Sequence, residues 1–155
     1  MRFEYPFEVD SDGDSVVISF PDVPGALTQV DPGEDLQAMA RDCLLAALGG
    51  YIEHRLPVPT ASPPRGRGAI TLDVMASAKL ALASAMAEAG VSNVALARRL
   101  GVDEKVVRRL LNLDHSSRIG RLEEALAVLD KSLQVTMRPR VSMAKGVEAK
   151  RQGRP

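Results

Sequence analysis

The chain has 155 residues, 45% of them hydrophobic, and no net charge, which suits one ordinary domain or two small ones. A single cysteine excludes an intrachain disulfide, and the absence of an apolar leader and of an apolar run of about 20 residues predicts a cytoplasmic protein without a membrane span. Residues 1–60 carry three basic and eleven acidic side chains, a net −8 balanced by +8 in the remainder, so we expect an acidic module for a basic partner and a basic module for a polyanion.

The first 60 residues predict a small antiparallel sheet followed by one helix. Alternate residues from Phe3 to Val9 are apolar, and Asp12-Gly13 predicts a type I′ hairpin turn before the partner strand. A Pro-Gly turn then separates the partner strand from a further predicted strand at 26–30. Apolar residues recur at helical spacing from Leu36 to Tyr51, with Asp31 as the expected N-cap.

Residues 57–68, PVPTASPPRGRG, contain four prolines and two glycines and predict a linker, followed by a short strand. The pattern from Asp73 to about Leu133 is helical, whereas the following segment is basic and poor in apolar residues. We therefore expect a first domain at 1–60, a linker at 61–71, an all-α domain at 72–135 and a flexible basic tail at 136–155. The fold class is α+β.

Residues 92–112, SNVALARRLGVDEKVVRRLLN, predict two short helices joined by a tight turn. Gly101 ends the first helix in a left-handed conformation, which glycine adopts without a Cβ clash, and Asp103 caps the second helix. Ala97 is small enough to let the two helices approach. This pattern is typical of a DNA-binding helix-turn-helix, whose second helix enters the major groove.

The exposed face of the second helix supplies the candidate residues for reading DNA bases. Because Val106, Val107, Leu110 and Leu111 form its buried face, helical geometry turns the polar residues outward. The candidate base-reading residues are Glu104, Lys105, Arg108, Arg109 and Asn112. The candidate phosphate contacts are Arg98, Arg99 and Arg121. The alternative is a helical bundle whose solvent face happens to be basic.

Monomeric helix-turn-helix domains bind DNA weakly, so this interpretation implies a homodimer or higher oligomer and a palindromic operator with two half-sites. Leu122, Leu126 and Leu129, or the strand-like residues 133–137, are candidates for the contact between subunits. The same leucines are equally suited to a domain core.

No arrangement of residues predicts catalysis, a metal site or a cofactor. Asp10, Asp12 and Asp14 fall in a predicted hairpin turn, and an EF-hand starting at Asp10 would need glycine and glutamate where Ser15 and Pro21 stand. The two histidines lie about sixty residues apart without a second ligand at metal-binding spacing. We therefore expect a protein that is not an enzyme.

Two stretches resemble one family, the HicB antitoxins of bacterial toxin-antitoxin operons. ISFPDVPGALTQVD (18–31), followed by an amphipathic helix, resembles the N-terminal HicB signature. Residues 79–126, KLALASAMAEAGVSNVALARRLGVDEKVVRRLLNLDHSSRIGRLEEAL, resemble the C-terminal helix-turn-helix domain of one HicB subgroup. The chain departs from the family pattern at Ala26, where cysteine or valine is common.

The resemblance implies a partial RNase H-like sheet that binds a HicA-type toxin, a small basic ribonuclease that cleaves messenger RNA. We assign Asp12, Asp14 and Asp22 as candidate toxin contacts because an acidic surface suits such a partner. It also implies a lambda repressor-like helical domain that represses the protein's own operon. Asn93 stands where helix-turn-helix proteins often have a glutamine near a phosphate, and it joins the candidate phosphate contacts.

Two other functions remain open at this stage. The first is a ligand-responsive transcriptional repressor, in which the N-terminal domain senses a small molecule. The second is a residual nuclease that uses the aspartates near residue 12, because RNase H-like chemistry depends on carboxylates that bind two metal ions.

Overall fold

The computed structural model describes residues 2–137, which form one four-stranded sheet and five helices. The strands are β1 (Glu4–Asp12), β2 (Ser15–Ser19), β3 (Leu27–Val30) and β4 (Gly68–Thr71). The helices are α1 (Leu36–Glu53), α2 (Val74–Glu88), α3 (Asn93–Leu100), α4 (Glu104–Leu111) and α5 (Ile119–Ala127). The predicted α+β class is confirmed, with a sheet in the N-terminal part and helices in the C-terminal part. Most of the expected basic tail lies outside the described residues.

The sheet is antiparallel throughout, in the order β3-β2-β1-β4. Asp12 pairs with Ser15, so Gly13 and Asp14 form the two-residue turn between β1 and β2. Gly13 has a φ of +61°, and it is the only central residue of this turn with a positive φ, which is the pattern of a type II′ turn. The prediction of a type I′ turn centred on Asp12-Gly13 is therefore wrong: the turn lies one residue later and is of type II′.

Helix α1 begins later than the sequence suggested. Its N-cap is Asp35, whose side chain accepts hydrogen bonds from two backbone N–H groups of the first turn, at 2.9 and 3.2 Å. The expected cap, Asp31, instead accepts from the Ser15 hydroxyl (2.7 Å) and the Gln29 amide (3.0 Å). These two hydrogen bonds lower the pKa of the Asp31 carboxyl, because they stabilise its charged form.

The inner face of the sheet packs against α1 and forms the first core. Residues that alternate along each strand share one face, so apolar side chains from β1, β2 and β3 converge on the buried side of α1. This core includes Tyr5, Phe7, Ile18, Val30, Ala40, Leu44 and Leu48. Val23 and Ala26, in the loop between β2 and β3, also belong to this core.

The expected linker, residues 61–71, contributes a strand to the sheet. β4 pairs with β1 from Glu4↔Thr71 to Phe7↔Gly68, which places Ile70 in the first core. The Tyr5 hydroxyl donates to the Pro59 carbonyl (2.8 Å), and the Ser62 backbone N–H and hydroxyl donate to Asp22 (2.8 and 2.9 Å). The proline-rich segment is therefore tied to the sheet at several points.

Helix α2 is shared between two cores. Ala76 and Leu80 belong to the first core, whereas Ala78 and Leu82 belong to a second core formed with α3, α4 and α5. Asp73 caps α2, and its side chain also pairs with Arg41 of α1. The sheet and the helical part thus meet along α2.

Among the residues described, no single helix is long and apolar enough to cross a membrane. Within the same residues, one pair of helices, α2 and α3, has the length and composition of a membrane span when taken together. The two helices are bent by 105° at their junction.

We expect Gly68→Ala to lower the free energy of unfolding by about 1–3 kcal/mol, because overpacking strains a close-packed core. A Cβ at Gly68 would lie 2.5 Å from Cζ of Phe7, whose ring is buried and packs against Phe20 with centroids 6.0 Å apart. Urea denaturation measures the change.

Gly49→Ala is the matched control, because a Cβ at this α1 position meets nothing within 4 Å. Alanine has a higher helical propensity than glycine, so this substitution is expected to stabilise the protein by up to about 1 kcal/mol. Equal effects of the two substitutions would contradict the docking of β4 against Phe7.

Candidate nucleic-acid interface

Helices α3 and α4 and the turn between them have the local geometry predicted from the sequence. Gly101 has a φ of +65° and donates its N–H to the Ala97 and Arg98 carbonyls, so it ends α3 in the left-handed conformation. Asp103 caps α4 by accepting from the Lys105 N–H at 2.7 Å. Ala97 is buried at the contact between the helices. The predicted roles of Gly101 and Asp103 are confirmed, and DNA binding by this pair of helices stays a prediction.

Helix α4 has one buried face and one exposed, mostly basic face. Successive residues are about 100° apart around a helix, so Val107, Leu110 and Leu111 point into the second core while the candidate readers point away from it. Lys105, Arg108 and Arg109 are exposed, as is Asn112 immediately after the helix, and Glu104 is half-buried.

Three of the candidate readers, Glu104, Arg108 and Asn112, form side-chain hydrogen bonds within the protein. The Arg108 guanidinium donates from Nε and Nη2 to one carboxylate oxygen of Glu104, at 3.1 and 2.9 Å. Asn112 accepts from the Asp114 N–H through its side-chain oxygen at 2.8 Å. A bidentate contact to adenine uses both the oxygen and the nitrogen of an asparagine amide, so Asn112 would have to exchange this internal bond for one to the base.

The candidate phosphate contacts lie on two different helices. Asn93 is the first residue of α3, and Arg98 and Arg99 are exposed in its last turn, next to the turn that leads into α4. Arg121 is exposed on α5, where it forms an ion pair with Glu124 at 2.8 Å. Three of the four candidates therefore belong to α3, beside the candidate reading helix.

Lys79 is a functional candidate that the sequence interpretation missed. Its side chain is fully buried, and its ammonium donates to the backbone carbonyls of Arg109, Asn112 and His115. Burial lowers the pKa of Lys79, an effect opposed by the carboxylates of Asp114 and Asp73. The available signal was its position: Lys79 lies on α2 four residues after Met75 and three before Leu82, within an apolar stripe.

A separate acidic surface lies on the outer face of the sheet, opposite α1. Alternate residues of β1 share this face, so it carries a row of four carboxylates. They are Glu4, Glu8, Asp10 and Asp12. Within residues 2–137, Glu4 pairs with Arg2 (2.8 Å) and Glu8 with Arg67 (3.5 Å), whereas Asp10 and Asp12 form no ion pair. We call this row, together with the exposed Asp14 at the hairpin turn, the acidic face.

The three candidate toxin contacts do not lie together in this surface. Asp12 and Asp14 are exposed at one end of the acidic face. Asp22 is only half-exposed, because its carboxylate accepts both hydrogen bonds from Ser62 and holds the proline-rich segment against the loop after β2. Its location thus gives Asp22 a structural role that the sequence did not indicate.

Within the part of the chain that is described, no three His, Cys, Asp or Glu side chains are placed to hold a metal ion together. Cys43 lies at the edge of the first core, where burial raises the pKa of its thiol and disfavours the reactive thiolate.

The fold and these surfaces define an α+β protein with an acidic sheet surface and an exposed, mostly basic helix. A model of a family described as the HicB-like antitoxin of bacterial toxin-antitoxin systems matches residues 3–81, which span the sheet, α1 and the first half of α2. The chain belongs to this antitoxin family.

Curated relatives extend the similarity into the helical part. The chain is 37% identical to Antitoxin HicB 2 of Photorhabdus laumondii over 87% of its length and 95% of that protein. It is 33% identical to Antitoxin HicB of Pseudomonas fluorescens (88% and 95% covered) and 31% identical to Antitoxin HicB of Escherichia coli K12 (78% and 88% covered). These relatives are antitoxins and not enzymes, so the prediction of a non-enzymatic protein is confirmed.

We expect Asp22→Ala to lower the free energy of unfolding by about 1–2 kcal/mol, because it leaves the half-buried Ser62 N–H without its acceptor. Asp14→Ala, at an exposed turn position, is the control and is expected to change stability by less than about 0.5 kcal/mol. Thermal and urea denaturation of both variants measure the difference. Equal stability of the two variants would contradict the structural role of Asp22.

Proposed function

We propose that this antitoxin neutralises a HicA-type, mRNA-cleaving toxin and represses its own operon by binding operator DNA in a sequence-specific manner. Both activities would take place in the bacterial cytoplasm, where messenger RNA and the operator are found. Membership of the antitoxin family is the observation that carries this proposal and favours it over a small-molecule sensor.

The exposed face of α4 supports the DNA-binding part of the proposal. Lys105, Arg108 and Arg109 present three cationic side chains on one short helix whose opposite face is buried. Arginine and lysine bind the O6 and N7 atoms of guanine in the major groove, and Glu104 can accept from cytosine. Arg98 and Arg99 at the end of α3 are available for phosphates.

The acidic face supports the toxin-binding part. Asp10, Asp12 and Asp14 are exposed at one end of the sheet surface and form no ion pair within residues 2–137, and opposite charge accelerates association with a basic partner. We therefore add Asp10 to the candidate toxin contacts Asp12, Asp14 and Asp22.

A homodimer is part of the proposal, since two half-sites on DNA need two reading helices. Leu122, Leu126 and Leu129 are buried in the second core of a single chain, so they are used within the subunit. The other candidate segment, residues 133–137, leaves Val135 and Met137 exposed and supports a subunit contact there.

The decisive experiment is co-expression of the full chain with the adjacent small open reading frame, followed by co-purification and a growth assay. A stable complex and restored growth are expected. A protein that neither binds nor rescues would refute toxin neutralisation and leave DNA binding to be tested separately.

We expect the double substitution Asp10→Lys/Asp12→Lys to weaken toxin binding by about 1 kcal/mol or more, because it replaces attraction by repulsion at the acidic face. The loss is expected mainly in the association rate and to diminish at high salt. The double substitution Glu123→Lys/Glu124→Lys, at two exposed positions of α5, makes the same change in net charge and is the control. Biolayer interferometry at two salt concentrations measures both; an equal effect of the control would argue for net charge alone.

We expect Arg108→Ala to weaken operator binding by about 1–3 kcal/mol and to relax specificity at one base position, as loss of a bidentate base contact does. Lys131→Ala is the matched control, because Lys131 is exposed and pairs with Glu88 away from α4. Fluorescence anisotropy on the operator and on single-base variants measures both effects. An equal loss on every sequence would reassign Arg108 to the phosphate contacts.

A further inference from the structure

We propose that Lys79 is a positioning residue for DNA recognition: its buried ammonium fixes the C-terminal end of α4 and the following turn, and thereby the placement of Arg109 and Asn112. This inference rests on the proposed DNA-binding function. Lys79 itself is not exposed, so it acts through the backbone of the reading helix and not by contacting DNA.

The ammonium of Lys79 has a matched set of acceptors. Its nitrogen lies 3.5 Å from the Arg109 carbonyl oxygen and also donates to the carbonyls of Asn112 and His115. A lysine ammonium has three N–H donors, so the three carbonyls account for all of them. A fully buried lysine is rare because desolvating the charge is costly, and here the acceptors compensate for that cost.

Helix α4 lacks the usual glycine end, and Lys79 donates to one carbonyl of its last turn, that of Arg109, and to two carbonyls of the turn that follows. The last carbonyls of a helix have no partner within it, and they carry its negative pole. Asn112 follows α4 in an extended conformation (φ −72°, ψ 117°), not in the left-handed one that closes α3 at Gly101. Since α4 has only eight residues, its own backbone bonds contribute little independent stability.

Lys79 also connects the reading helix to the rest of the protein. Its neighbours on α2, Ala78 and Leu80, belong to the second and first cores respectively. Leu113, in the turn that Lys79 holds, packs against the first core. The end of α4 is therefore placed with respect to both cores.

The test compares variants that change the ammonium with one that only weakens the core. Lys79→Met keeps most of the apolar stem and removes all three donors, whereas Lys79→Gln retains two donors. Val30→Ala is the control, because Val30 is buried in the first core on β3, whereas α4 packs in the second core. A DNA site is first selected with wild-type protein from a random-sequence duplex library, and affinities for it and for unrelated DNA are measured where circular dichroism finds each variant folded.

We expect Lys79→Met to reduce affinity for the selected site by roughly tenfold to a hundredfold, the range of one or two lost base contacts, with little change on unrelated DNA. Lys79→Gln should be intermediate, and Val30→Ala should keep the wild-type ratio of the two affinities. Hydrogen exchange should accelerate at residues 109–116 in the lysine variants alone. An unchanged affinity ratio in folded Lys79→Met, or the same loss in Val30→Ala, would overturn the proposal.

A measurement on the wild-type protein covers the case in which the lysine variants fail to fold. NMR of the lysine ammonium groups should reveal one slowly exchanging signal with through-space contacts to residues 109–115, and its absence would overturn the proposal. If wild-type protein selects no DNA sequence, the proposed DNA-binding function fails, and the role of Lys79 in recognition fails with it. Failure of the variants alone leaves the DNA-binding function standing.

Discussion

The burial of α2 on two sides is the constraint on which the rest of the structure depends. One side, with Ala76 and Leu80, completes the core beneath the sheet, and another, with Ala78 and Leu82, begins the core of the helical part. A helix that is apolar around most of its surface is stable in water only when both sides are covered. The sheet and the small helices therefore need α2 equally, and the Arg41–Asp73 pair adds a polar tie at its N-terminus.

Local structure could be predicted from the sequence where neighbouring residues determine it. The left-handed Gly101, the Asp103 cap and the buried stripe of α4 all follow from short-range sterics and helical periodicity. The pairing of β4 with β1 could not be predicted, because Gly68–Thr71 is a short run after prolines and its partner lies more than sixty residues earlier. The cap of α1 is Asp35 and not the predicted Asp31, because the Asp31 side chain accepts hydrogen bonds from Ser15 and Gln29.

The candidate site also has parts that depend on neighbouring residues and parts that depend on residues distant in sequence. The exposed basic residues of α4 could be predicted, because helical periodicity within one helix determines which side of it each residue lies on. The roles of Lys79 and Asp22 could not, because each is defined by partners distant in sequence: the Asn112 and His115 carbonyls for the lysine, and Ser62 for the aspartate. Charged residues in an apolar stripe or beside a turn need the tertiary structure before their function can be assigned.

The Glu104–Arg108 pair links stability to the proposed recognition of bases. An exposed i,i+4 pair contributes only about 0.3–0.5 kcal/mol, so its main effect is on orientation. Both of its hydrogen bonds use one side of the guanidinium, Nε and Nη2, and end on a single oxygen of Glu104. An arginine has five N–H donors, and the two on Nη1 have no partner within residues 2–137, so they can face a guanine while Glu104 holds the side chain in place. The carboxylate also offsets one positive charge on α4, which weakens attraction to phosphates that carry no sequence information. A reading helix gains specificity from such a pair when the loss in general affinity is smaller than the gain in orientation.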